Sequence, residues 1–246
     1  MIKNYIAFDL ETTGLDIEKD SIIEIGALKV IDGKVSDRFM EFVRPPMGIP
    51  KHITEITGIT NEMVCNARDI RDVIVDFVAF CEDFVLVGHN ILFDYKFTKR
   101  YANLSGLSFE KQGIDTLRIA RKVHKEMESK SLGNLCEYYH IENQAAHRAY
   151  HDALATAKIY HMLAHEFEQE FPTLFKPETL KYRPQKVQPC TGKQIEYLKA
   201  LCQYHNLQVE EDIKKLSRSE MSKKIDAIIS NYGMMRLDEK RWDKII

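Results

Sequence analysis

The sequence predicts an α/β fold in which helices flank a mixed β-sheet, followed by a small helical module. The 246 residues are enough to bury a large core. Apolar runs with strand-like alternation come first, and apolar strands then alternate with amphipathic helices. A proline-rich stretch between residues 172 and 190 separates these elements from two capped helices near the end.

The composition is typical of an ordinary globular protein, with 44% apolar and 29% charged residues. No apolar run approaches the roughly 20 residues that cross a bilayer, so we expect no membrane association. Asp9 and Glu11 interrupt the first apolar stretch, which excludes a signal-peptide pattern. The five cysteines are widely spaced and odd in number. We therefore expect free thiols and a cytoplasmic protein, without a disulfide frame or zinc site.

The first predicted strand begins at Tyr5 and ends in two acids, Asp9 and Glu11. Side chains two residues apart in a strand share a face, so these carboxylates are expected side by side. Such a pair repels unless a cation or a proton lies between the two groups. An edge strand with two solvated acids is the alternative interpretation, and only further acids and a base elsewhere in the chain would exclude it.

Two more strands are predicted over residues 21–30 and 35–43. Asp32-Gly33 between them is a hairpin signal, so the first three strands are expected to form an antiparallel meander. Residues 45–67 predict a loop with one short helical turn. Helical periodicity then runs from Ile70 to Cys81.

Strands and helices alternate in the next part of the chain. Phe84–Val87 is a short apolar run typical of a buried strand, and a helix follows through Phe93 and Phe97. Gly113–Asp115 predicts a short edge strand. Ser131 is a predicted helix N-cap, and the helices predicted here cover residues 116–123, 132–139 and 150–167.

The domain organisation is predicted from prolines, capping residues and charge. Four of the seven prolines lie in residues 172–190, which predicts a linker after a first domain of residues 1–171. Two capping-box patterns then predict a helical module at 191–233, before a charged tail at 234–246. Residues 176–246 carry 15 Lys and Arg against 10 Asp and Glu, whereas residues 1–175 carry 20 against 27. An acidic body with a basic C-terminal part suits bound cations and a polyanionic partner.

Two further motifs supply acids and a base. Asp94 lies one turn into the helix after the apolar strand and its Gly88-His89-Asn90 end, and ligands bind at such carboxyl ends of strands. His147 and Asp152 are five residues apart, which is about 500° of helix rotation. They do not share a helix face, so His147 is expected in the loop before the helix. No P-loop, G-x-G-x-x-G or G-x-S-x-G motif offers a rival interpretation.

These residues resemble the three motifs of the DEDDh 3′–5′ exonucleases. The matching stretches are Phe8–Gly14, Gly88–Asn90 with Asp94, and His147 with Asp152. The family includes the proofreading epsilon subunit of bacterial DNA polymerase III and the exonuclease domain of Gram-positive replicative polymerases. The resemblance covers roughly residues 1–170 and implies a ribonuclease H-like sheet.

The resemblance implies a metal-dependent enzyme that releases nucleoside 5′-monophosphates from DNA 3′ ends, in replication proofreading or repair. Asp9, Glu11, Asp94 and Asp152 are the implied ligands of two divalent cations, Mg²⁺ or Mn²⁺, which prefer such oxygen ligands. His147 is the implied general base. His151 competes for that role, but the family pattern favours His147.

The resemblance also implies substrate contacts and partners. The implied substrate-binding residues are Leu10, Thr12, Thr13, Leu15, Gly58, Asn90, Phe93 and His147. For Phe93, a position in the core is the favoured alternative. The expected partners are a single-stranded 3′ end of DNA and a DNA polymerase or another replication or repair protein.

Two alternative functions stay open at this point. One is an RNA-trimming 3′–5′ exoribonuclease of the ribonuclease T or oligoribonuclease kind, which shares the fold and the motifs. Residues 53–64 resemble the polymerase-associated branch and favour DNA. The other alternative is a module that binds nucleic acid or a polymerase and has little activity.

Overall fold

The computed structural model describes residues 1–143, 145–183, 188–209, 213 and 216–235. The chain divides into two compact units, Met1–Pro184 and Gln185–Ile246. None of the described helices combines the length and apolar character that crossing a membrane requires. The predicted charged tail lies outside the described residues from position 236 onward.

A mixed sheet of seven strands forms the centre of the first unit. Its strands are β1 Tyr5–Thr12, β2 Ile22–Ile31, β3 Lys34–Arg44, β4 Arg68–Asp69, β5 Val85–Gly88, β6 Gln112–Asp115 and β7 Glu178–Thr179. Their order across the sheet is β4-β3-β2-β1-β5-β6-β7. The pairs β1–β2 and β2–β3 are antiparallel, so the predicted meander is confirmed. Asp32 and Gly33 form its turn with φ values of 50° and 76°, as tight hairpins require.

The central strand β1 has apolar cores on both faces. Ile6 and Phe8 enter one core and Tyr5 and Ala7 the other, and all four side chains are fully buried. Because strand side chains alternate between faces, Asp9 continues the row of Tyr5 and Ala7. Packing of the strand therefore determines the face on which its acids lie.

Seven described helices belong to the first unit. They are α1 Lys51–Thr57, α2 Asn61–Val64, α3 Ile70–Cys81, α4 Leu92–Leu104, α5 Thr116–Val123, α6 Leu132–Tyr138 and α7 Ala149–Phe167. Helices α3 and α4 pack into the core of Ile6 and Phe8, while α5, α6 and α7 pack into the core of Tyr5 and Ala7. The predicted N-cap Ser131 is confirmed, since its hydroxyl accepts the backbone N–H of Asn134.

Residues 45–67 contain two short helices, where the sequence predicts one helical turn. Gly58 ends α1 with a φ of 70°, and the Thr60 side chain caps α2. Ile59 and Val64 pack against Ile23 of β2. These contacts are distant in sequence, so local periodicity does not reveal them.

The predicted strand at Gly113–Asp115 is confirmed as part of β6, but its predicted position at the edge of the sheet is wrong. β6 lies between β5 and β7, and it pairs antiparallel with β7. The backbone N–H of Leu180 donates to the Lys111 carbonyl at 2.9 Å, which extends the contact. A strand of two residues is too short to show periodicity.

The sequence predicts a linker over residues 172–190. The first part of this segment belongs to the first unit, which extends to Pro184. Residues Pro172–Phe175 form a 3₁₀ turn. Phe175 is 3% exposed and Leu180 is 7% exposed, because both side chains pack into the cores of the sheet. Prolines indicate a break in regular structure, but they do not show whether the irregular segment packs against the domain.

The second unit contains two helices, α8 Gly192–Tyr204 and α9 Arg218–Tyr232. Both predicted capping boxes are confirmed, Thr191 with Gln194 and Ser217 with Glu220. The side chain of Gln194 also donates to the Arg218 carbonyl at 3.0 Å, which places the two helix N-termini next to each other. The apolar core of this unit is formed by Leu198, Leu201, Cys202, Ile213, Met221 and Ile225.

Candidate active site

Asp9 and Glu11 lie near the end of β1, on the face that continues from Ala7. In the antiparallel pairing with β2, Asp9 is opposite Gly26 and Glu11 is opposite Glu24. Opposed residues share a face of the sheet. A third carboxylate, that of Glu24, therefore lies beside the predicted pair.

Asp94 joins the two β1 acids from α4. β5 runs parallel to β1, so the helix that follows β5 starts at the edge where β1 ends. Asp94 lies in the first turn of α4 and is 3% exposed. The backbone N–H of Leu10 donates to its Oδ1 at 3.1 Å. This hydrogen bond ties α4 to β1 between the two strand acids.

His147 lies in the loop before α7, and Asp152 lies in the first turn of that helix, as their spacing predicts. The backbone N–H of His147 donates to Asp152 Oδ2 at 2.9 Å. The side-chain amide of Asn143 donates to Asp152 Oδ1 at 2.6 Å. The carboxylate of Asp152 is thus oriented by two donors from the loop.

The structure brings the loop histidine together with two of the acids. Glu11, His147 and Asp152 each offer one ligand atom, and these atoms lie within 4.8 Å of one another. His151, the competing candidate for the base, is not part of this group. The geometry therefore favours His147 for chemistry at the acidic site.

The carboxyl groups of the site have raised pKa values because they are buried together. Burial is the largest cause of the raised pKa of Asp9, and the charge of Asp94 adds to it. Burial and Asp152 raise the pKa of Glu11 to about 8, while Arg148 opposes this rise. Burial also raises the pKa values of Asp94 and Asp152. Each group holds a proton more tightly than an exposed acid, so a bound cation would compete with that proton.

The donor set fits a divalent cation with oxygen ligands. Carboxylates dominate it, and such hard donors suit cations of this kind. Arg148 carries a positive charge at the site, but its Nε and Nη2 atoms bond to Glu24. In the described part of the chain, the buried Oδ1 of Asn143 has no hydrogen-bond partner. The amide nitrogen of the same side chain contacts Asp152, so this oxygen is a further acceptor close to the acids.

Four of the predicted substrate-binding residues lie at the end of β1 or in the turn that follows it. The Thr12 hydroxyl donates to the Gly14 carbonyl at 2.7 Å, and the Thr13 hydroxyl donates to Asp20 at 3.2 Å. Leu15 is 84% exposed. Leu10 is 5% exposed and packs in the core, so only its backbone is available at the site.

The other predicted substrate-binding residues are more scattered. Asn90 follows β5 with a φ of 67°, and its backbone N–H donates to Asp115 at 3.0 Å. Phe93 is partly buried, and its ring packs 5.1 Å from that of Phe97, as the core alternative predicts. Gly58 ends α1, and no hydrogen bond joins it to the site acids in the described part of the chain.

Four residues at the site were not predicted from the sequence: Glu24, Gly26, Asn143 and Arg148. Glu24 was visible as a single charge inside the apolar run from Ile22 to Ile25, and it is 5% exposed. A buried acid in a central strand needs a partner, and that requirement is a usable signal. The partner itself, Arg148, lies 124 residues away, so local pattern does not reveal it.

Comparison with known proteins gives matches over the first unit. A profile for the family described as Exonuclease matches residues 6–160. The chain is 40% identical over 156 residues to DNA polymerase III PolC-type of Caldanaerobacter subterraneus subsp. tengcongensis, covering 63% of this chain and 11% of that protein. It is 36% identical over 157 residues to DNA polymerase III subunit epsilon of Aquifex aeolicus, covering 63% of this chain and 78% of that protein.

The structure of Exonuclease X in complex with 5′ overhanging duplex DNA has a similar fold. It matches with a TM-score of 0.55 and 27% identity, covering 66% of this chain and 92% of that one. The predicted ribonuclease H-like mixed sheet flanked by helices is confirmed. The chain spans about a tenth of the PolC-type relative and most of the epsilon relative.

Proposed function

This chain belongs to the exonuclease family, and we propose that it is a metal-dependent 3′–5′ exonuclease that releases nucleoside 5′-monophosphates from DNA 3′ ends. One observation carries the proposal: three separate elements bring four acids together with a loop histidine. The acids come from β1, the first turn of α4 and the first turn of α7. A module that only binds nucleic acid has no need of such buried, mutually repelling carboxylates.

Two divalent cations, Mg²⁺ or Mn²⁺, are the cofactors we propose. Asp9, Glu11, Asp94 and Asp152 would hold them. When bound, the cations would stabilise the attacking and leaving oxygens of the phosphodiester. They would also offset the repulsion that raises the pKa of Asp9.

The proposed role of His147 is that of general base. It lies in an exposed part of the loop, while its backbone N–H is fixed by Asp152. An unprotonated ring nitrogen would accept the proton of the attacking water. General bases of this type typically contribute about 10²–10⁴-fold to the rate.

The proposed floor of the nucleotide site is the turn after β1. Hydrogen bonds to Gly14 and Asp20 fix Thr12, the last residue of β1, and Thr13, the first residue of the turn. Leu15 presents an exposed apolar side chain, which would pack against the terminal base or sugar. Asn90 would reach the same nucleotide from the end of β5.

DNA as the substrate is supported by the relatives that are named DNA polymerase III subunits. The test compares 3′-labelled and 5′-labelled single-stranded DNA with RNA of the same sequence, in Mn²⁺ and in EDTA. We expect shortening of DNA from the 3′ end, no cleavage in EDTA, and slower cleavage of RNA. Faster cleavage of RNA would favour the exoribonuclease alternative. A folded wild-type protein that binds DNA without shortening it would support the binding-module alternative.

The domain boundaries and partners are part of the same proposal. The exonuclease domain would comprise residues 1–171 together with the segment containing Phe175 and Leu180 that packs against them, and the helical module would comprise residues 191–233. We propose a role in replication proofreading or repair in the cytoplasm, with a DNA polymerase or a related repair protein as partner. Relatives named as polymerase subunits support this partner.

The helical module would bind the phosphate backbone of DNA. Lys193 and Lys199 of α8 are exposed, and each phosphate contact adds to the salt dependence of binding. Replacing both with Gln should lower the slope of log affinity against log salt by about 2, or about 1 for each lysine. Lys51→Gln in the first unit is the matched control. An unchanged slope in the double variant would leave the module as a protein-docking or structural unit.

A further inference from the structure

Two residues of β2 lie opposite the acids of β1, and one is charged while the other has no side chain. Glu24 is opposite Glu11, and Gly26 is opposite Asp9. Like charges directly opposite each other destabilise a sheet, and Glu24 is 5% exposed. Its charge therefore needs a positively charged partner inside the protein. The four proposed metal ligands are all acids, so none of them can be this partner.

Gly26 allows that partner to approach. A Cβ atom at Gly26 would lie 2.0 Å from the backbone nitrogen of Tyr150 and 2.2 Å from the carbonyl carbon of Ala149. The first turn of α7 consequently lies directly on β2. Any side chain at position 26 would push this turn away from the sheet.

The close approach brings Arg148 and the backbone N–H of Ala149 into hydrogen-bond contact with Glu24. Arg148 Nη2 donates to Glu24 Oε1 at 2.9 Å, and its Nε lies 3.2–3.3 Å from both carboxylate oxygens. The guanidinium also lies 5.1 Å from the ring centre of Phe42. Glu24 Oε2 accepts the backbone N–H of Ala149 at 3.1 Å. Arg148 has no side-chain capping bond of its own, so Glu24 caps the start of α7.

Arg148, which this contact fixes, lies between His147 and Asp152 in the chain. His147 immediately precedes Arg148, and the backbone carbonyl of Arg148 accepts the N–H of Asp152 at 3.1 Å. His147 in turn donates its own N–H to the Asp152 carboxylate. Movement of Arg148 relative to β2 would therefore move the histidine and the acid together, away from Glu11.

We propose that Glu24 and Arg148 form a positioning clamp, which sets the distance between Glu11 on β1 and the pair His147 and Asp152, and thereby sets the affinity for the divalent cation. The proposal rests on the proposed function for the identity of the site. Arg148 acts by its shape as well as its charge, because a planar guanidinium presents donors on two nitrogens in a fixed geometry to the carboxylate, whereas a lysine ammonium is a single point charge without that geometry.

The test uses variants that keep the charge and change the shape. Arg148→Lys removes the planar guanidinium with its paired N–H donors. Glu24→Asp shortens the acidic side chain, so that its carboxylate lies farther from the Ala149 N–H and from the guanidinium. Mn²⁺ binding to the full chain is measured by calorimetry, without DNA. We expect each variant to weaken Mn²⁺ binding by about 10–100-fold, as removal of groups that orient ligands typically does. A purely electrostatic role predicts no change, since the net charge is the same.

Glu82→Gln is the matched control, because it removes another ion pair of β2, that of Lys29 with Glu82. Its Mn²⁺ affinity should stay within about twofold of wild type, given that surface ion pairs contribute little. In cleavage assays at saturating Mn²⁺, the clamp variants should lower kcat and leave KM for DNA unchanged.

Wild-type Mn²⁺ affinity in both folded clamp variants would overturn the proposal, even if their melting temperatures in EDTA fell. A raised KM for DNA with unchanged Mn²⁺ affinity would also overturn it, because Arg148 would then contact substrate directly. If one variant fails to fold, the other decides. Wild-type protein that binds Mn²⁺ but leaves DNA intact would contradict the proposed function and leave the clamp standing.

Discussion

Asp9 and Asp152 carry the same carboxylate to the site, but the protein fixes them in different ways. Asp9, Glu11 and Asp94 form what we call the strand half, which lies on β1 and the first turn of α4. His147 and Asp152 form the helix half, which lies at the start of α7. The strand half extends from side chains that are fully buried in two cores. The helix half begins where α7 packs on β2 at Gly26, and its side chains are oriented by hydrogen bonds from Asn143, from the loop backbone and through the Glu24–Arg148 pair.

Because the two halves are fixed differently, we expect them to respond differently to amino-acid substitutions. Packing fixes the strand half, so a polar substitution of the same shape there should change the chemistry without disturbing the fold. Directional polar contacts fix the helix half, so small changes in its partners should shift its ligands and lower metal affinity by degrees. The predictions below test that division, beginning with the largest effect.

Asp9→Asn should abolish cleavage and stabilise the metal-free protein. Asn keeps the shape but removes the charge, so several kcal/mol of metal-dependent stabilisation are lost and the rate should fall by at least about 10⁴-fold. Asp9 also no longer repels Asp94, so the melting temperature in EDTA at pH 8 should rise by about 2–4 °C per kcal/mol relieved. Asp32→Asn, in the exposed hairpin turn, is the control. A lower melting temperature for Asp9→Asn would show that the strand half depends on its charge for folding.

His147→Asn should lower kcat by about 10²–10⁴-fold, the usual contribution of a general base. Asn is chosen because His147 has a φ of 62°, a conformation that Asn tolerates better than most residues. The backbone N–H that fixes Asp152 is retained, so the melting temperature should not change. His151→Asn is the matched control, with a loss of less than about tenfold. Equal losses in the two variants would contradict the assignment of the base.

Asn143→Ala should weaken Mn²⁺ binding by about 10–100-fold, a smaller effect than the loss of a ligand. The variant removes the donor to Asp152 Oδ1. The remaining donor, the backbone N–H of His147, contacts only Oδ2. Calorimetric titration of Mn²⁺ measures the change. Asn61→Ala, which removes a loop hydrogen bond to Ile49 at 2.8 Å, is the control. Identical Mn²⁺ affinities in both variants would show that the carboxylate of Asp152 is fixed by other means.

The strand half could be predicted from sequence because its signals are local. Alternation places Asp9 and Glu11 on one face, and a buried strand before α4 places Asp94 at the same edge of the sheet. The spacing of His147 and Asp152 likewise separates loop from helix. The catalytic roles assigned to these residues stay predictions.

The supports of the helix half could not be predicted in this way. The contact of Glu24 with Arg148 spans 124 residues, and it depends on the register of β1 with β2 and on the space at Gly26. Register follows from the assembled sheet and is not encoded in a single segment. The same reason explains why β7 was missed, since its two residues are defined by their partner in β6.

The last prediction concerns the pH dependence of stability in EDTA. The pKa of Glu11 is raised to about 8 from an ordinary value of 4.5, so the folded protein binds this proton more tightly than the unfolded chain does. The free energy of unfolding should therefore fall as the pH rises from about 5 to about 8, by up to about 1.4 kcal/mol per pH unit for one proton. Mn²⁺ should remove this loss, because it replaces the proton.

Thermal melts between pH 5 and pH 8 test this slope in the two halves. Glu11→Gln should flatten it, and Glu126→Gln at an exposed position should not. Asp152→Asn should flatten it less than Glu11→Gln, because hydrogen bonds from Asn143 and His147 oppose the rise in its pKa. A larger effect for Asp152→Asn would mean that the helix half holds its proton as tightly as the strand half. The two halves would then differ in how they are supported, but not in how strongly they compete for a cation.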